Sequence, residues 1–281
     1  MESNLEAVSN QDMLSFEAFR KSVLEDYRTA LISREVSLLG RREVLTGKAK
    51  FGIFGDGKEV AQVALAKFFQ KGDFRSGYYR DQTLMFALGV SNVADYFAQL
   101  YADVEHDPYS GGRNMNAHFS TPFVDQKGNW LPLTESFNVS ADIAPTAGQM
   151  VRGLGLAFAS KFFRNAATNE AFAGLTNQGN EVCFCTIGDA STSEGHFWET
   201  INAAGVLQVP LAVIVYDDGY GISVPTELQT TKGSISEALA GFEKKPGTNG
   251  IKIFTVKGWD YAALCETFEE GIAYTRANHT P

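Results

Sequence analysis

Two acidic strand ends carry the strongest chemical signal in the sequence. The apolar runs VCFCTI and LAVIVY each end in carboxylates, as TIGDAST at 186–192 and VYDDGYGIS at 215–223. Ligands of open parallel sheets bind at the carboxyl ends of strands. Asp189 and Asp218 are therefore expected to face one crevice. Two carboxylates, with carbonyls exposed by the Gly219-Tyr220-Gly221 turn, suit Mg²⁺, which wants oxygen ligands and usually keeps phosphate oxygens and water among them. The small residues Ala190 and Ser191 would let a helix starting near Glu194 turn its N-terminus to a phosphate. The competing reading is that each Asp only caps the following helix. It fits either site alone better than the two together.

The common phosphate-binding strings fail when tested. Gly153-Leu154-Gly155 follows a helix start rather than a strand, and Phe158 stands where the third glycine of a dinucleotide fingerprint belongs. Gly55-Asp56-Gly57-Lys58 lacks the upstream glycine and the following Ser or Thr of a P-loop. His106, His118, His196 and His279 supply no zinc-ligand spacing. Cys183 and Cys185 share one strand face and read as buried, reduced thiols. Three cysteines make no disulfide framework.

These residues need elements to hold them. From Phe16, the residues Phe19, Val23, Leu24, Tyr27 and Leu31 recur at helical spacing toward Arg41 and Arg42, which predicts a long amphipathic helix. A second helix carries Val60, Val63, Ala64 and Phe68, and a third carries Val93, Tyr96, Phe97, Leu100 and Tyr101. Between them DFRSGYYRDQ reads as a short extended segment. The stretch from His106 to Ile143 has no sustained period, and a connection that long is more often functional than a linker. From Pro145 a helix rich in small residues is expected to pack closely on a neighbouring helix. The runs VCFCTI, LAVIVY and IKIFTV read as three strands, with helices over EGHFWETINAAGVLQ and WDYAALCETFEEGIAYTRAN. This alternation predicts an α/β fold, a parallel sheet covered by helices on both faces. The last helix closes at ANHTP, a stop that should feed one more strand, so the sequence reads as a piece of a longer chain.

The chain has 281 residues, 44% hydrophobic and 20% charged, enough to bury the core of one large or two modest domains. With 24 Lys+Arg against 33 Asp+Glu its net charge is -9, which repels phosphate backbones and anionic headgroups. Nucleic-acid and membrane-surface roles are not expected. No apolar run approaches the roughly 20 residues that span a bilayer, and MESNLEAVSNQDMLSF has no export signal. A cytoplasmic location is the default expectation.

GDASTSEG, followed after one strand by DDGYGIS, resembles the thiamine-diphosphate motif, which opens with Gly-Asp-Gly and closes with paired Asn. More narrowly, GDASTSEGHFWETINAAGVLQVPLAVIVYDDGYGISVP resembles the alpha subunit, or the alpha half of a fused chain, of the decarboxylating component of 2-oxoacid dehydrogenases. YYRD, GGRNMNAHFS and APTAGQMVRGLGLAFASK fall upstream in that family's order, and the resemblance runs from about Phe51 to Asp260. It implies a thiamine-diphosphate-binding domain over 51–281, shortened at its C-terminal end, behind a helical extension at 16–50 and a mobile segment at 1–15.

Residue by residue, the resemblance implies that Asp189 and Asp218 ligate Mg²⁺ by side chain and Tyr220 by its carbonyl. Gly188, Ala190 and Ser191 would line the diphosphate, with Ile222 also at the cofactor. Tyr79 and Arg80 match the family's Tyr-Arg pair, whose guanidinium can grip phosphate oxygens in a fork. Thr146 matches the residue at the aminopyrimidine end. His118 matches a histidine near the reactive thiazolium, where it could shuttle protons. Glu194 either orients a helix start or simply caps it; Phe54 and Phe119 are either substrate-pocket walls or core.

Four departures stand out. Ala190 replaces a Gly, Asp217-Asp218 replace paired Asn, the segment Asn165 to Asn180 is inserted, and the family's further strand and phosphate-clamping loop do not appear. By resemblance the partners are a beta subunit or fused beta half that supplies an activating glutamate, a lipoyl-bearing transacylase and a 2-oxoacid. The assembly would be a homo-oligomer or alpha2beta2. Two other readings stay open: a noncatalytic Mg²⁺-diphosphate or partner-binding module, and another thiamine enzyme such as an acetoin-cleaving one.

Overall fold

The computed structural model describes residues 15–166 and 170–281. Of the mobile segment expected at 1–15, all but Ser15 lies outside the described residues. Helix α1 (Phe16–Leu45) opens behind Ser15, whose hydroxyl accepts the Ala18 N–H at 3.2 Å. The helix is where the periodicity puts it, yet its apolar stripe is not a core face. Phe19, Leu24, Tyr27 and Leu31 are exposed, while Ser33, Val36, Ser37, Gly40 and Glu43 are buried. The docking face is the polar one: Asp26 meets Lys67 and Tyr261, Ser33 accepts from Gln82, and Arg34 forks onto Glu59.

Next come α2 (Glu59–Ala66), β1 (Phe74–Ser76), α3 (Gln82–Ala87), α4 (Val93–Leu100) and, within the long irregular stretch, β2 (Asn138–Val139). The chain continues through α5 (Gly148–Asn165), β3 (Cys183–Gly188), α6 (Gly195–Leu207) and β4 (Leu211–Tyr216). A hairpin of β5 (Tyr220–Gly221) and β6 (Val224–Pro225) precedes α7 (Ile235–Leu239) and α8 (Tyr261–Asn278).

The main sheet is parallel throughout, in the order β2-β1-β3-β4. On β3, Cys183, Cys185 and Ile187 pack with Met150, Phe197 and Ile201 of α5 and α6, while Phe184 packs on the other face with Leu65, Phe69 and Leu84. Helices thus cover both faces, which is why both strand faces are apolar. Both strand cysteines are fully buried and free, and burial pushes the Cys185 thiol up to about 12.

Two local expectations are corrected. Helix α5 starts at Gly148, not Pro145, because Ala147 adopts a left-handed φ of 59°. The helix does pack closely on α6, as its small residues lead one to expect, and its Gly153 lies against the sheet, where a Cβ would stand 3.0 Å from Cys185 Sγ. The run IKIFTV forms no strand: Ile251 makes one bridge with Glu243, and both this run and β4 line a cavity of about 370 Å³. An apolar run becomes a strand only where a neighbour can complete a ladder. Among the described residues no helix is long and apolar enough to cross a membrane.

Candidate functional site

Register brings the two acidic motifs together. Along β3 and β4, Cys183 pairs with Leu211 and Gly188 with Tyr216, so the ladder ends level and the loops beginning at Asp189 and Asp217 emerge side by side. The Gly219 N–H donates to Asp189 Oδ2 at 3.0 Å and to Asp217 Oδ1 at 3.2 Å. Asp189 is buried and makes no side-chain cap to the 3₁₀ turn at Ala190–Ser193. Its carboxylate reaches across to the next loop, so the capping alternative fails at this residue. Burial lifts the Asp189 carboxyl above its usual range, and Asp218 and Asp217 nearby add to the lift. Among the described residues no three His, Cys, Asp or Glu side chains form a metal cage.

Asp218 is more exposed and carries a cation of the chain's own. Lys58 Nζ lies 2.8 Å from its Oδ2, while its Oδ1 accepts the Tyr220 N–H at 3.3 Å. Gly221 packs so tightly that a Cβ would come within 2.5 Å of Ala190 Cβ. Ala190 and the hairpin are therefore in close contact.

The carboxyl end of β1 adds an aromatic and cationic wall. Gly188 faces the Tyr78 ring, and the Tyr78 N–H donates to Thr186 Oγ1 at 3.2 Å. The Arg80 guanidinium lies 5.4 Å from the Tyr79 ring centre, and no carboxylate pairs with it among the described residues. Tyr79 stacks on His118 with ring centres 6.5 Å apart and 16° between planes. His118 is buried, unlike most loop histidines. Gln99 holds it through two backbone hydrogen bonds, and its Nδ1 is 3.1 Å from the Asn116 carbonyl. Its Nε2 is buried without a partner among the described residues. Burial and the Arg75 charge hold the imidazole below its ordinary pKa, so it stays neutral near pH 7.

Sequence reasoning missed the group beneath this wall. Arg75, wholly buried on β1, binds Asp81 through Nε and Nη2 at 2.9 and 2.6 Å and Asp142 through Nη1 at 3.0 Å. The Thr186 hydroxyl also donates to Asp81, and the Phe119 N–H donates to Asp142 at 3.0 Å. The signal available was a lone Arg in the apolar-flanked FRS strand, with Asp residues six positions on and beyond Val139. Spacing alone could not join them.

Thr146, Ile222, Ser191 and Glu194 make no hydrogen bond to Asp189, Asp218, Arg80 or His118. Thr146 is exposed on the turn ahead of α5, and Ile222 is fully exposed with φ 61°, a left-handed conformation unusual for a β-branched residue. Neither makes a hydrogen bond to the others. Ser191 is buried in a 3₁₀ turn, and α6 begins only at Gly195, so Ser191 precedes the helix end that was expected to meet phosphate. Glu194 makes no side-chain cap. Phe119 is core, packed edge-on against Tyr109.

A family model described as Dehydrogenase E1 component matches residues 27–281. The chain is similar to the 2-oxoisovalerate dehydrogenase subunit alpha of Bacillus subtilis (strain 168), 28% identical over 266 residues, which cover 93% of this chain and 68% of that protein. It is similar to the pyruvate dehydrogenase E1 component subunit alpha of Acholeplasma laidlawii, 24% identical, covering 93% of this chain and 63% of that protein. The mitochondrial 2-oxoisovalerate dehydrogenase subunit alpha of Mus musculus is 24% identical, with 93% and 51% covered. The chain thus spans 51–68% of the length of these relatives.

Proposed function

The chain belongs to the dehydrogenase E1 component family, and we propose that it is the alpha part of a thiamine-diphosphate-dependent 2-oxoacid dehydrogenase, holding the Mg²⁺-diphosphate half of the site. The observation that carries the reading is the level ending of β3 and β4, which joins the Asp189 and Asp218 loops through the Gly219 N–H at 3.0 Å.

The residues present fit such a group. The donors at the acidic end are oxygens, as a hard divalent cation requires. Among the described residues Arg80 has no carboxylate partner and the buried Nε2 of His118 has no hydrogen-bond partner. Asp189, Asp218 and the Tyr220 carbonyl would hold Mg²⁺. Gly188, Ala190 and Ser191 would lie along the diphosphate, Tyr79 and Arg80 at its oxygens, and Thr146 and Ile222 at the rest of the cofactor.

Bound thiamine diphosphate supplies an electron sink for the loss of carbon dioxide from a 2-oxoacid. This chain's part is to bind, orient and move a proton. Arg80 binds phosphate oxygens as a fork. His118, neutral and clamped by Gln99, accepts or returns a proton at Nε2 beside the stacked Tyr79. The burial of Arg75, Asp81 and Asp142 keeps water from the base of both loops. A beta partner would supply the activating glutamate, and a lipoyl-bearing transacylase would take the acyl group. The assembly would be alpha2beta2 or a homo-oligomer, and the division at 51 would separate the helical extension from the site-bearing domain. Branched-chain 2-oxoacids are favoured over pyruvate, supported by the name of the 28% identical relative.

The test is decarboxylation by the full chain with and without a beta partner, given thiamine diphosphate and Mg²⁺. The assembly should turn over branched-chain 2-oxoacids faster than pyruvate, and the chain alone should turn over neither. Turnover by the chain alone contradicts a divided site. Cofactor binding without turnover in the assembly supports a noncatalytic module, and turnover of acetoin alone supports a different thiamine enzyme.

A further inference from the structure

We propose that Lys58 is a positioning residue for the cation end of this site: it cancels the charge of Asp218 by holding Oδ2 and leaves Oδ1 to ligate Mg²⁺. The inference rests on the thiamine-diphosphate reading of the site. Where the family pattern has a neutral Asn, this chain has a carboxylate paired with an ammonium, which together are neutral and still present one oxygen.

The pairing is built rather than casual. Lys58 and Asp218 are 160 positions apart, and Nζ reaches Oδ2 at 2.8 Å. The Lys58 side chain is 10% exposed against 55% for Asp218. Lys58 lines the same cavity as Ala61, Tyr216 and Leu264, and its side chain is largely shielded from solvent. The turn below it is braced: Glu59 receives Arg34 at 2.6 and 2.8 Å and accepts the Gly57 N–H at 2.9 Å. Asp218 Oδ1 takes one long bond from the Tyr220 N–H at 3.3 Å, which leaves lone pairs for a cation.

Charge explains the need. Asp189, Asp217 and Asp218 would stand beside a diphosphate that itself would bring about three negative charges, against two on Mg²⁺ and one on Arg80. Lys58 removes one unit of that excess at the ligand where the departure from Asn introduced it. A pair this exposed on one side contributes little to stability, so the conserved volume of a Met in place of Lys58 should leave the fold intact.

The test is calorimetric titration of thiamine diphosphate with Mg²⁺ into the chain assembled with its beta partner. Four forms are compared: wild type, Lys58→Met, Asp218→Asn and the double variant. Lys58→Met should weaken binding about tenfold or more, and the double variant should return to within about threefold of wild type, at nearly unchanged melting temperature. If the double variant binds as weakly as Lys58→Met, the ammonium acts on the cofactor or through the fold, and charge cancellation is overturned. Unchanged binding by Lys58→Met overturns it equally. Absence of Mg²⁺-dependent binding by wild type overturns the cofactor reading itself and this inference with it, so the two failures are told apart.

Discussion

The Arg75 guanidinium meets both oxygens of Asp142, at 3.0 and 3.1 Å, with both side chains wholly buried. Arg75 also holds Asp81 just after Tyr79 and Arg80, and Asp142 holds the Phe119 N–H just after His118. Two loops of the candidate site therefore hang from one cation. The pair ties residues 67 positions apart, which no local rule would connect.

Arg75→Met should cost about 3–5 kcal/mol of stability, because it leaves two buried carboxylates without a counter-ion. A urea midpoint shift measures it. A loss below about 1 kcal/mol would mean water reaches the triad.

The same triad sets a pH dependence. Burial, opposed by Arg75 and assisted by Asp81, pushes the Asp142 carboxyl up to about 6, whereas an unfolded Asp titrates at about 3.9. The folded state binds this proton more tightly. Its contribution to stability is fully present below about pH 4 and is lost as pH rises through about 6. Denaturation of wild type and Asp142→Asn across that window checks this. The difference should move in favour of the Asn variant with rising pH and then level off; a constant difference contradicts it.

Asp189→Ala should abolish Mg²⁺-dependent cofactor binding in the assembled enzyme while costing about 0.5–1.5 kcal/mol of stability, the value of one hydrogen bond. The low end is expected, since the Gly219 N–H keeps Asp217 Oδ1 at 3.2 Å. Unchanged binding by calorimetry removes Asp189 from the metal.

His118→Asn should lower the decarboxylation rate of the assembly by about 10²–10⁴-fold, the usual worth of a positioned acid-base group. Because burial depresses the imidazole pKa, the acid limb of wild-type activity should lie below the range of an ordinary imidazole. The variant should lose that acid limb. An unaltered profile in the variant assigns the proton transfer elsewhere.

Asp218→Asn should retain activity at saturating cofactor and metal, since it keeps a ligand oxygen, and Asp218→Ala should lose it. Equal inactivity of the two variants would mean that the charge of Asp218 serves a purpose beyond ligation. Apparent Mg²⁺ affinity in Asp218→Asn does not decide between these outcomes, because the variant also leaves Lys58 without its carboxylate.

The sequence by itself determined the local elements and the chemistry at their ends. Apolar runs with β-branched residues and helical spacing placed β3, β4, α6 and α8, and the acidic residues following two strands pointed to loops that do meet. Those signals are short-range, carried by neighbours along the chain. What only the tertiary structure decided depends on contacts distant in sequence. IKIFTV has the composition of a strand and lacks a ladder partner. The apolar stripe of α1 points outward because its polar face meets α2 and the α3 residue Gln82. Asp189 is turned to Gly219 rather than to a cap by the level register of two strands. Lys58 and Arg75 gain their roles from partners 160 and 67 positions away, and a charge's role follows from the folded neighbour that faces it.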